Sequence, residues 1–414
     1  MKVVLVNPHA GKNMLPLIPI GLLYLSSELI LAGHVCEIID LNYDNLEKFE
    51  ARIDYVKPDL IGVSIRNIAE TESMNNVYAD IKPILDIACK YSKTVLGGAG
   101  FSIFPNTITK LYNADYGIVG PGETAVCYIA KRMRQIPSGT IISMVDESFV
   151  RSDISTAMGA YWSRYGKYHI VCNSYIPIQT TRGCKYNCRY CTYSNISNQS
   201  IQQRPIESVI REMNELINIT KINNFYFVDS VFNMDLLYLK NLLHALIENN
   251  LKCNWQGCIN PSEYDDELLE LMKKSGCNFC EIGVDSFSDE QLKSIGKNFN
   301  SKQAQRLIQS IKRMEINCSV SLILGGYGET DETLAETWRI AEDNVDVKLN
   351  AFIGERIYPN TKLASILKID SEKELSTASD KSIYLSRNVS KQMLEMILTS
   401  SSRRWNFIGR NRLR

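Results

Sequence analysis

Thr181-Arg182-Gly183-Cys184-Lys185-Tyr186-Asn187-Cys188-Arg189-Tyr190-Cys191 is the stretch from which the rest of this chain is read. Three cysteines spaced Cys-x3-Cys-x2-Cys cannot all pair with one another as disulfides. They can ligate three irons of a [4Fe–4S] cluster, because thiolates are the usual ligands of such clusters. With no fourth cysteine in the loop, Cys184, Cys188 and Cys191 leave one iron open to a substrate or cofactor. That distinguishes a reactive cluster from an electron carrier. The alternatives are three unrelated thiols or a zinc site. Zinc usually takes four ligands in two close pairs, and no partner pair is obvious.

The same spacing, with the aromatic Tyr190 just before the third cysteine, resembles the signature of radical S-adenosylmethionine (SAM) enzymes. The resemblance implies that the open iron binds the amino and carboxylate groups of SAM. An electron from the cluster then splits SAM to a 5′-deoxyadenosyl radical, hard chemistry that a protein delegates to a cofactor. It also implies an electron donor such as flavodoxin or ferredoxin.

The chain has 414 residues, enough for two or three domains. Hydrophobic residues make up 45% and charged residues 22%, an ordinary globular mix. Basic and acidic residues balance at 46 each, so no global field draws nucleic acid or an anionic membrane. The chain opens on a strand-like Val3-Val4-Leu5-Val6, not on a charged segment and an apolar signal core. No apolar stretch approaches the roughly 18 residues of a membrane-spanning candidate. Twelve cysteines without a secretion signal imply a reducing compartment. The expectation is a cytoplasmic protein with neither nucleic acid nor membrane as partner.

Residues 1–136 alternate short apolar runs with helical patterns. Lys2 to Val6, Val35 to Asp40, Leu60 to Ile65, Thr94 to Leu96 and Tyr116 to Val119 are strand candidates. Ile20 to Ala32, Met74 to Tyr91 and Thr124 to Met133 have helical spacing. This alternation predicts an α/β domain, a doubly wound parallel sheet. Ligands of such sheets lie beyond the carboxyl ends of the strands. Those ends carry Asn7-Pro8-His9-Ala10-Gly11, Ser64-Ile65-Arg66-Asn67, Gly97-Gly98-Ala99-Gly100 and Gly120-Pro121-Gly122-Glu123. Glycine there lets the backbone approach a large ligand. A dinucleotide fold is the competing reading, but no Gly-x-Gly-x-x-Gly opens the first helix.

Before a radical SAM motif, this pattern resembles the cobalamin-binding domain of B12-dependent radical SAM enzymes. The match includes Pro16, Pro19, Gly21-Leu22, Leu25 and Gly33. The resemblance implies that Gly97, Gly98, Gly100, Gly120, Gly122 and Glu123 embrace the corrin and its nucleotide tail. Many B12 proteins of this fold carry Asp-x-His-x-x-Gly after the first strand, the His ligating cobalt. Here Asn7-Pro8-His9-Ala10-Gly11-Lys12 lacks the orienting acid, which favours His9 as a loop residue touching solvent or corrin amides. Arg66 follows an apolar strand at the edge where the corrin is expected. Arginine stays protonated and does not ligate metals. The resemblance implies a catalytic role for Arg66 as a positive, non-ligating group below cobalt; a salt bridge or a solvated strand-end charge is the alternative.

Residues 137–175 lack clear periodicity and read as a connector. Alternation resumes in residues 176–365. Strands are expected at Ile176 to Thr180, Asn224 to Val228, Lys252 to Gly257, Phe279 to Val284, Ile316 to Leu324 and Val345 to Phe352. Helices are expected at Pro205 to Ile219, Asp235 to Asn249, Asp265 to Ser275, Ser301 to Met314 and Asp331 to Asp343. Six such units predict a partial (β/α)6 barrel with functional groups at the carboxyl ends of its strands.

By resemblance, several motifs at those ends contact SAM. Asp229, in Phe227-Val228-Asp229-Ser230, is the expected acceptor for its ammonium. Glu281 would accept ribose hydroxyls, Ser286 would reach the methionyl carboxylate, and Gly325 and Gly326 would lie against adenine. Arg356, in Arg356-Ile357-Tyr358-Pro359-Asn360-Thr361, would meet a carboxylate of SAM or substrate, or brace its loop. Capping of the following helices is the structural alternative for the acids and hydroxyls.

Cys253, Cys258, Cys277 and Cys280 fall on adjacent predicted strands. Odd spacings put Cys277 and Cys280, and likewise Cys253 and Cys258, on opposite faces of regular strands, so buried free thiols are expected rather than a second cluster. Residues 366–414 read as a helical extension ending in a solvated basic tail from Arg403.

Together these readings predict a cobalamin-dependent radical SAM enzyme. The resemblance implies methylation of an unactivated carbon through a 5′-deoxyadenosyl radical and methylcobalamin, on a small metabolite or natural-product intermediate held at the domain junction. A B12-assisted cyclase, oxidase or rearrangement enzyme uses the same parts. A corrinoid or SAM sensor with a regulatory cluster is the non-enzymatic alternative.

Overall fold

Short runs rich in Val, Ile and Leu form the first sheet of the computed structural model, which describes residues 1–10, 16–66, 78–144, 153–197, 199–369, 371–372, 375 and 383–410. Strands β1 (Lys2–Asn7), β2 (Val35–Asp40), β3 (Leu60–Ser64), β4 (Lys93–Gly97), β5 (Tyr116–Val119) and β6 (Thr140–Ser143) lie in the order β2-β1-β3-β4-β5-β6, every pairing parallel. Helices α1 (Ile20–Leu31), α2 (Leu46–Val56), α3 (Tyr78–Tyr91), α4 (Ala99–Ile103), α5 (Pro105–Tyr112) and α6 (Glu123–Arg132) cover it. Successive β1 residues point to opposite faces. Val3 and Leu5 join a core with residues of α1 and α6, whereas Val4 and Val6 join residues of α2, α3 and α5. The sheet is therefore doubly wound, as its alternation predicts. Gly11, Lys12, Asn67 and the Met74 start of the expected third helix lie outside the described residues.

The stretch read as an aperiodic connector contains β6 and a 17-residue helix, α7 (Ser155–Val171). Its buried face carries Tyr161, Tyr165 and His169, at i, i+4 and i+8. A hydrophobicity count underrates these residues because each has a polar end. The structure satisfies those ends: Tyr161 Oη lies 2.8 Å from both Asp40 Oδ2 and His169 Nε2, and Tyr165 Oη donates to Asp44 Oδ2 at 2.7 Å. Burial pushes the His169 imidazole down to about 4, keeping it uncharged in this network.

The second sheet comprises β7 (Ile176–Ile178), β10 (Asn224–Phe227), β11 (Asn254–Ile259), β12 (Cys277–Asp285), β13 (Asn317–Leu324), β14 (Lys348–Ile353) and β17 (Trp405–Ile408). All are parallel, in the order β17-β14-β13-β12-β11-β10-β7. The antiparallel pair β8 (Thr181–Arg182) and β9 (Gln202–Gln203) brackets the three-cysteine loop; a second, β15 (Glu355–Arg356) and β16 (Ile383–Tyr384), follows β14. Helices α8 (Tyr193–Ile196), α9 (Ile206–Thr220), α10 (Leu236–Glu248), α11 (Asp266–Lys274), α12 (Asp289–Ile295), α13 (Ser301–Arg313), α14 (Asp331–Asn344), α15 (Lys362–Leu367) and α16 (Lys391–Ser400) complete the chain. Asp235, Asp265 and Thr330 accept backbone N–H bonds at the starts of α10, α11 and α14, fixing where each strand-end loop becomes helix.

Two expectations fail here for local reasons. Trp405–Ile408 is not a solvated tail but a seventh strand paired with β14. Trp405 and Phe407 are buried, and Arg404 forms a 2.9 Å ion pair with Glu342; four residues flanked by arginines give no periodic signal. The opposite-face argument for Cys277 and Cys280 also fails. Trp255 pairs with Cys277 but Gln256 pairs with Phe279, so Asn278 is an extra residue that resets the alternation. The two sulfurs lie 3.5 Å apart, both buried. All twelve cysteines remain free thiols.

Candidate active site

The three-cysteine loop is held from several sides. Asp229, buried just beyond β10, accepts from Thr180 N and Thr181 N at 2.8 Å and from Thr180 Oγ1 at 2.5 Å. Burial pushes its carboxyl up to about 6, against the pull of those hydrogen bonds. Ser230 Oγ donates to Gly183 O at 2.7 Å, where Gly183 takes a φ of +104°. Further along, Arg189 N donates to Ile295 O at 3.0 Å and Leu363 N to Arg189 O at 2.8 Å. The loop is thereby tied to the ends of β7 and β10, to α12 and to α15.

Cys184, Cys188 and Cys191 are half-buried within it. Burial pushes Cys191 up to about 11 and raises Cys188; the neighbouring thiols of the trio add to both shifts. The three therefore lie within one another's electrostatic reach. Among the described residues no group of three or more His, Cys, Asp or Glu closes on a single metal ion.

A second layer sits behind the loop, and sequence reading missed it. Between Gly283 and Asp285, β12 slips register against β13, and Asp285 takes a φ of +69°. The slip turns Asp285 toward the loop, where Tyr190 Oη donates to it and Lys297 Nζ stands 2.7 Å away. Nearby, the glycine-rich turn after β13 is gripped by acids. Glu329 accepts from Gly325 N and Gly326 N, and Glu355 accepts from Tyr327 N at 2.9 Å. Burial pushes Glu329 up to about 8 and Glu355 to about 7. An acid after a glycine turn was visible as part of a motif. Its backbone partners were not.

At the carboxyl edge of the first sheet, a cavity of about 270 Å³ is lined by Gly97, Gly98, Gly120, Gly122 and Glu123 with the apolar Leu22, Val95, Ile118 and Val126. Its other wall is Thr181, Arg182, Gly183, Tyr193 and Ser230, from around the three-cysteine loop. One cavity thus touches both sheets. Gly98 has a φ of +97°, and a Cβ there would meet Ile65 O at 2.7 Å, so only glycine fits without strain. Gly100 does not line the cavity; its N–H donates to Ile65 O at 2.8 Å. Glu123, in the first turn of α6, accepts from Arg182 Nη2 at 2.8 Å, with side chains only 5% and 12% exposed. Glu123 thus lines the cavity and also joins the two halves of the chain.

The remaining expected residues are spread more widely. Ser286 is buried against Thr337 Oγ1 at 2.7 Å and accepts from Ser288 N, and it does not line the cavity. Glu281 is exposed on the opposite face of β12 from the buried Cys280 and Ile282; burial of its surroundings raises its pKa, while a hydrogen bond from Tyr226 opposes the rise. Arg356 lies over the Tyr358 ring, 5.7 Å from its centroid. Arg66 and His9 line a smaller 30 Å³ cleft with Asn7, Pro8, Ala10 and Ser64, and Ser64 also lines the larger cavity. Arg66 is exposed, yet partial burial pulls its pKa down.

Comparison with known proteins bears on what this cavity holds. Residues 12–130 match the B12 binding domain, and residues 178–340 match the Radical SAM superfamily. The chain belongs to the cobalamin-dependent radical SAM enzymes. Its cofactors are a [4Fe–4S] cluster, SAM and cobalamin. Relatives of this radical SAM enzyme include an uncharacterized methyltransferase of Pyrococcus horikoshii, 24% identical, with 88% of this chain matching 82% of that one. Tryptophan 2-C-methyltransferase of Streptomyces laurentii is 25% identical, over 88% of this chain and 74% of its own. The radical SAM methyltransferase TsrM of Kitasatospora setae, solved with cobalamin and a [4Fe–4S] cluster, shares the fold at a TM-score of 0.75 and 22% identity. The match covers 87% of this chain and 76% of TsrM.

This radical SAM enzyme has donors and spaces that fit the three groups. Three half-buried free thiols on one loop suit a cluster with an open iron. A largely apolar cavity bordered by glycine loops suits the close approach of a large ligand. No helix among the described residues is long and apolar enough to cross a membrane.

Proposed function

We propose that this enzyme moves a methyl group from SAM to an unactivated carbon of a small metabolite or natural-product intermediate. The observation that carries this reading is the shared cavity, lined on one side by the glycine loops of the first sheet and on the other by Thr181, Arg182 and Gly183, the residues that lead into Cys184. When bound, the cluster supplies one-electron reduction of SAM, and cobalamin supplies a carrier for the methyl group. Among relatives, tryptophan 2-C-methyltransferase and cytidylyl-2-hydroxyethylphosphonate methyltransferase carry methyl transfer to small molecules in their names, which supports the substrate class.

In this reading Cys184, Cys188 and Cys191 hold the cluster, and an electron donor such as flavodoxin or ferredoxin reduces it. Gly97, Gly98, Gly120 and Gly122 clear space for the corrin and its tail; Glu123 and Gly100 act by fixing the walls. Asp229 positions the cysteine loop through Thr180 and Thr181. Gly325 and Gly326 admit the adenine side of SAM, held in shape by Glu329. Glu281 contributes a hydrogen-bond acceptor and Arg356 a cation for a carboxylate, while Ser286 supports the end of β12 through Thr337. Arg66, which stays protonated and cannot ligate a metal, would present a positive charge toward the corrin.

The test incubates the reduced holoenzyme and methyl-labelled SAM with the small-molecule fraction of its host cell. Label recovered on carbon in a product is expected. Formation of 5′-deoxyadenosine with no label transferred would contradict methyl transfer and leave a cyclase, oxidase or rearrangement.

A further inference from the structure

Lys297 is a buried cation set against the cysteine loop, in a position that no motif marks. Its side chain and that of Asp285 are each 7% exposed, and they meet at 2.7 Å. The ammonium also donates to Gly283 O at 3.1 Å and lies 5.8 Å from the Tyr190 ring centroid, the ring immediately before Cys191. Phe299 closes another side at 5.7 Å. Two backbone contacts fix this approach: Arg189 N donates to Ile295 O at 3.0 Å, and Gly296 leaves room for Asn187 O, which an added Cβ would meet at 3.1 Å. The turn that carries Lys297 is thus bound to the residues between Cys184 and Cys191.

Burying an ammonium and a carboxylate is expensive and is seldom repaid as stability alone. A pair kept at such a place is better explained by its field. The two partners carry opposite charges, so removing either one alone changes the field at the loop in the opposite direction from removing the other. Burial opposes the charge on Lys297, but Asp285 and the neighbouring thiols outweigh it and hold its pKa above the ordinary value.

We infer that Lys297, oriented by Asp285, is a positioning residue whose positive charge makes the cluster easier to reduce. Net charge around a cluster is one determinant of its potential, and a charge acts strongly where water is excluded. One electron added to the cluster makes it more negative, so a nearby cation favours the reduced form. This inference rests on the reading that Cys184, Cys188 and Cys191 hold the cluster.

The experiment is a potentiometric titration of the reconstituted holoenzyme without SAM, followed by electron spin resonance, with iron counted in every sample. Lys297→Met should lower the reduced-to-oxidised ratio at fixed potential at least tenfold, about 59 mV for a one-electron couple. Lys297→Arg should stay near the parent protein, and Asp285→Asn should shift the other way. Full iron content with no shift, or with both charge-removing variants moving in the same direction, would overturn the inference. A parent protein that assembles no cluster would overturn the cysteine reading itself. Opposite shifts in Lys297→Met and Asp285→Asn, at full iron content, are what a purely structural pair does not produce.

Discussion

The two walls of the shared cavity are built differently. On the first sheet the wall is made by removal: glycine at 97, 98, 120 and 122 leaves space beside apolar side chains. On the other side the wall includes Thr181, Arg182, Gly183, Tyr193 and Ser230, and behind it Asp229, Asp285 and Lys297 tie or charge the cysteine loop. A large ligand recognised by shape needs clearance, and backbone freedom provides it. A small inorganic centre recognised by ligand chemistry needs its thiolates held in place and its charge environment set. Arg182 and Glu123 join the walls across the junction.

The largest expected effect separates the walls outright. Replacing Cys184, Cys188 and Cys191 together with Ala should drop iron from about four per chain to background and abolish SAM cleavage, while corrin binding persists. Loss of corrin binding as well would show that the walls are not separable.

Next comes the junction. Arg182→Met leaves Glu123 buried without its partner, so a stability loss of about 3–5 kcal/mol is expected, measured by denaturant unfolding. Adding Glu123→Gln to that variant should recover part of the loss. An unchanged midpoint in Arg182→Met would mean that the ion pair does not join the halves.

A smaller and one-sided effect is expected at Gly98. A Cβ there meets Ile65 O at 2.7 Å with φ at +97°, so Gly98→Ala should cost about 1–3 kcal/mol of strain. Corrin affinity should fall by titration while iron content stays at the parent level. Equal losses of both would blur the contrast between clearance and ligation.

The smallest effect is a pH dependence on the cluster side. Burial holds Glu329 at about 8 and Glu355 at about 7, above the ordinary carboxylate range. The folded state therefore keeps protons that the unfolded chain releases. Their stabilising contribution is full below the ordinary carboxylate range and is lost as pH rises through about 7 and 8. The apoprotein should melt higher at about pH 6 than at about pH 9, and Glu329→Gln should flatten that difference. An identical slope in the variant would remove Glu329 from the account.

The same contrast explains what could be read from the sequence. The three cysteines stood out because cluster ligation would demand one residue type at close spacing. Strands such as Val35–Asp40 and Tyr116–Val119 were legible to their bounds as short runs rich in apolar residues, although the helices Leu46–Val56 and Pro105–Tyr112, next to them in the chain, were not read. The glycine loops were legible as loops, but the inward turn of Glu123 toward Arg182 was not. Asp229 was recognised as a strand-end acid, whereas its partners Thr180 and Thr181 come from a different strand end. Helix α7 hid behind its tyrosines, and β17 behind its brevity. The extra residue Asn278 reversed the parity on which the cysteine argument depended. Lys297 and Asp285 are twelve residues apart and meet through a register slip that no local pattern announces.

The central claim is that the cluster and cobalamin face one another across a single cavity. Electron spin resonance of the reconstituted enzyme, with the cluster reduced and cobalamin as cobalt(II), tests it most directly. Two unpaired spins across one cavity should couple, splitting or broadening both signals relative to protein carrying either group alone. Two full-intensity signals that superimpose on those of the singly loaded samples would contradict the claim.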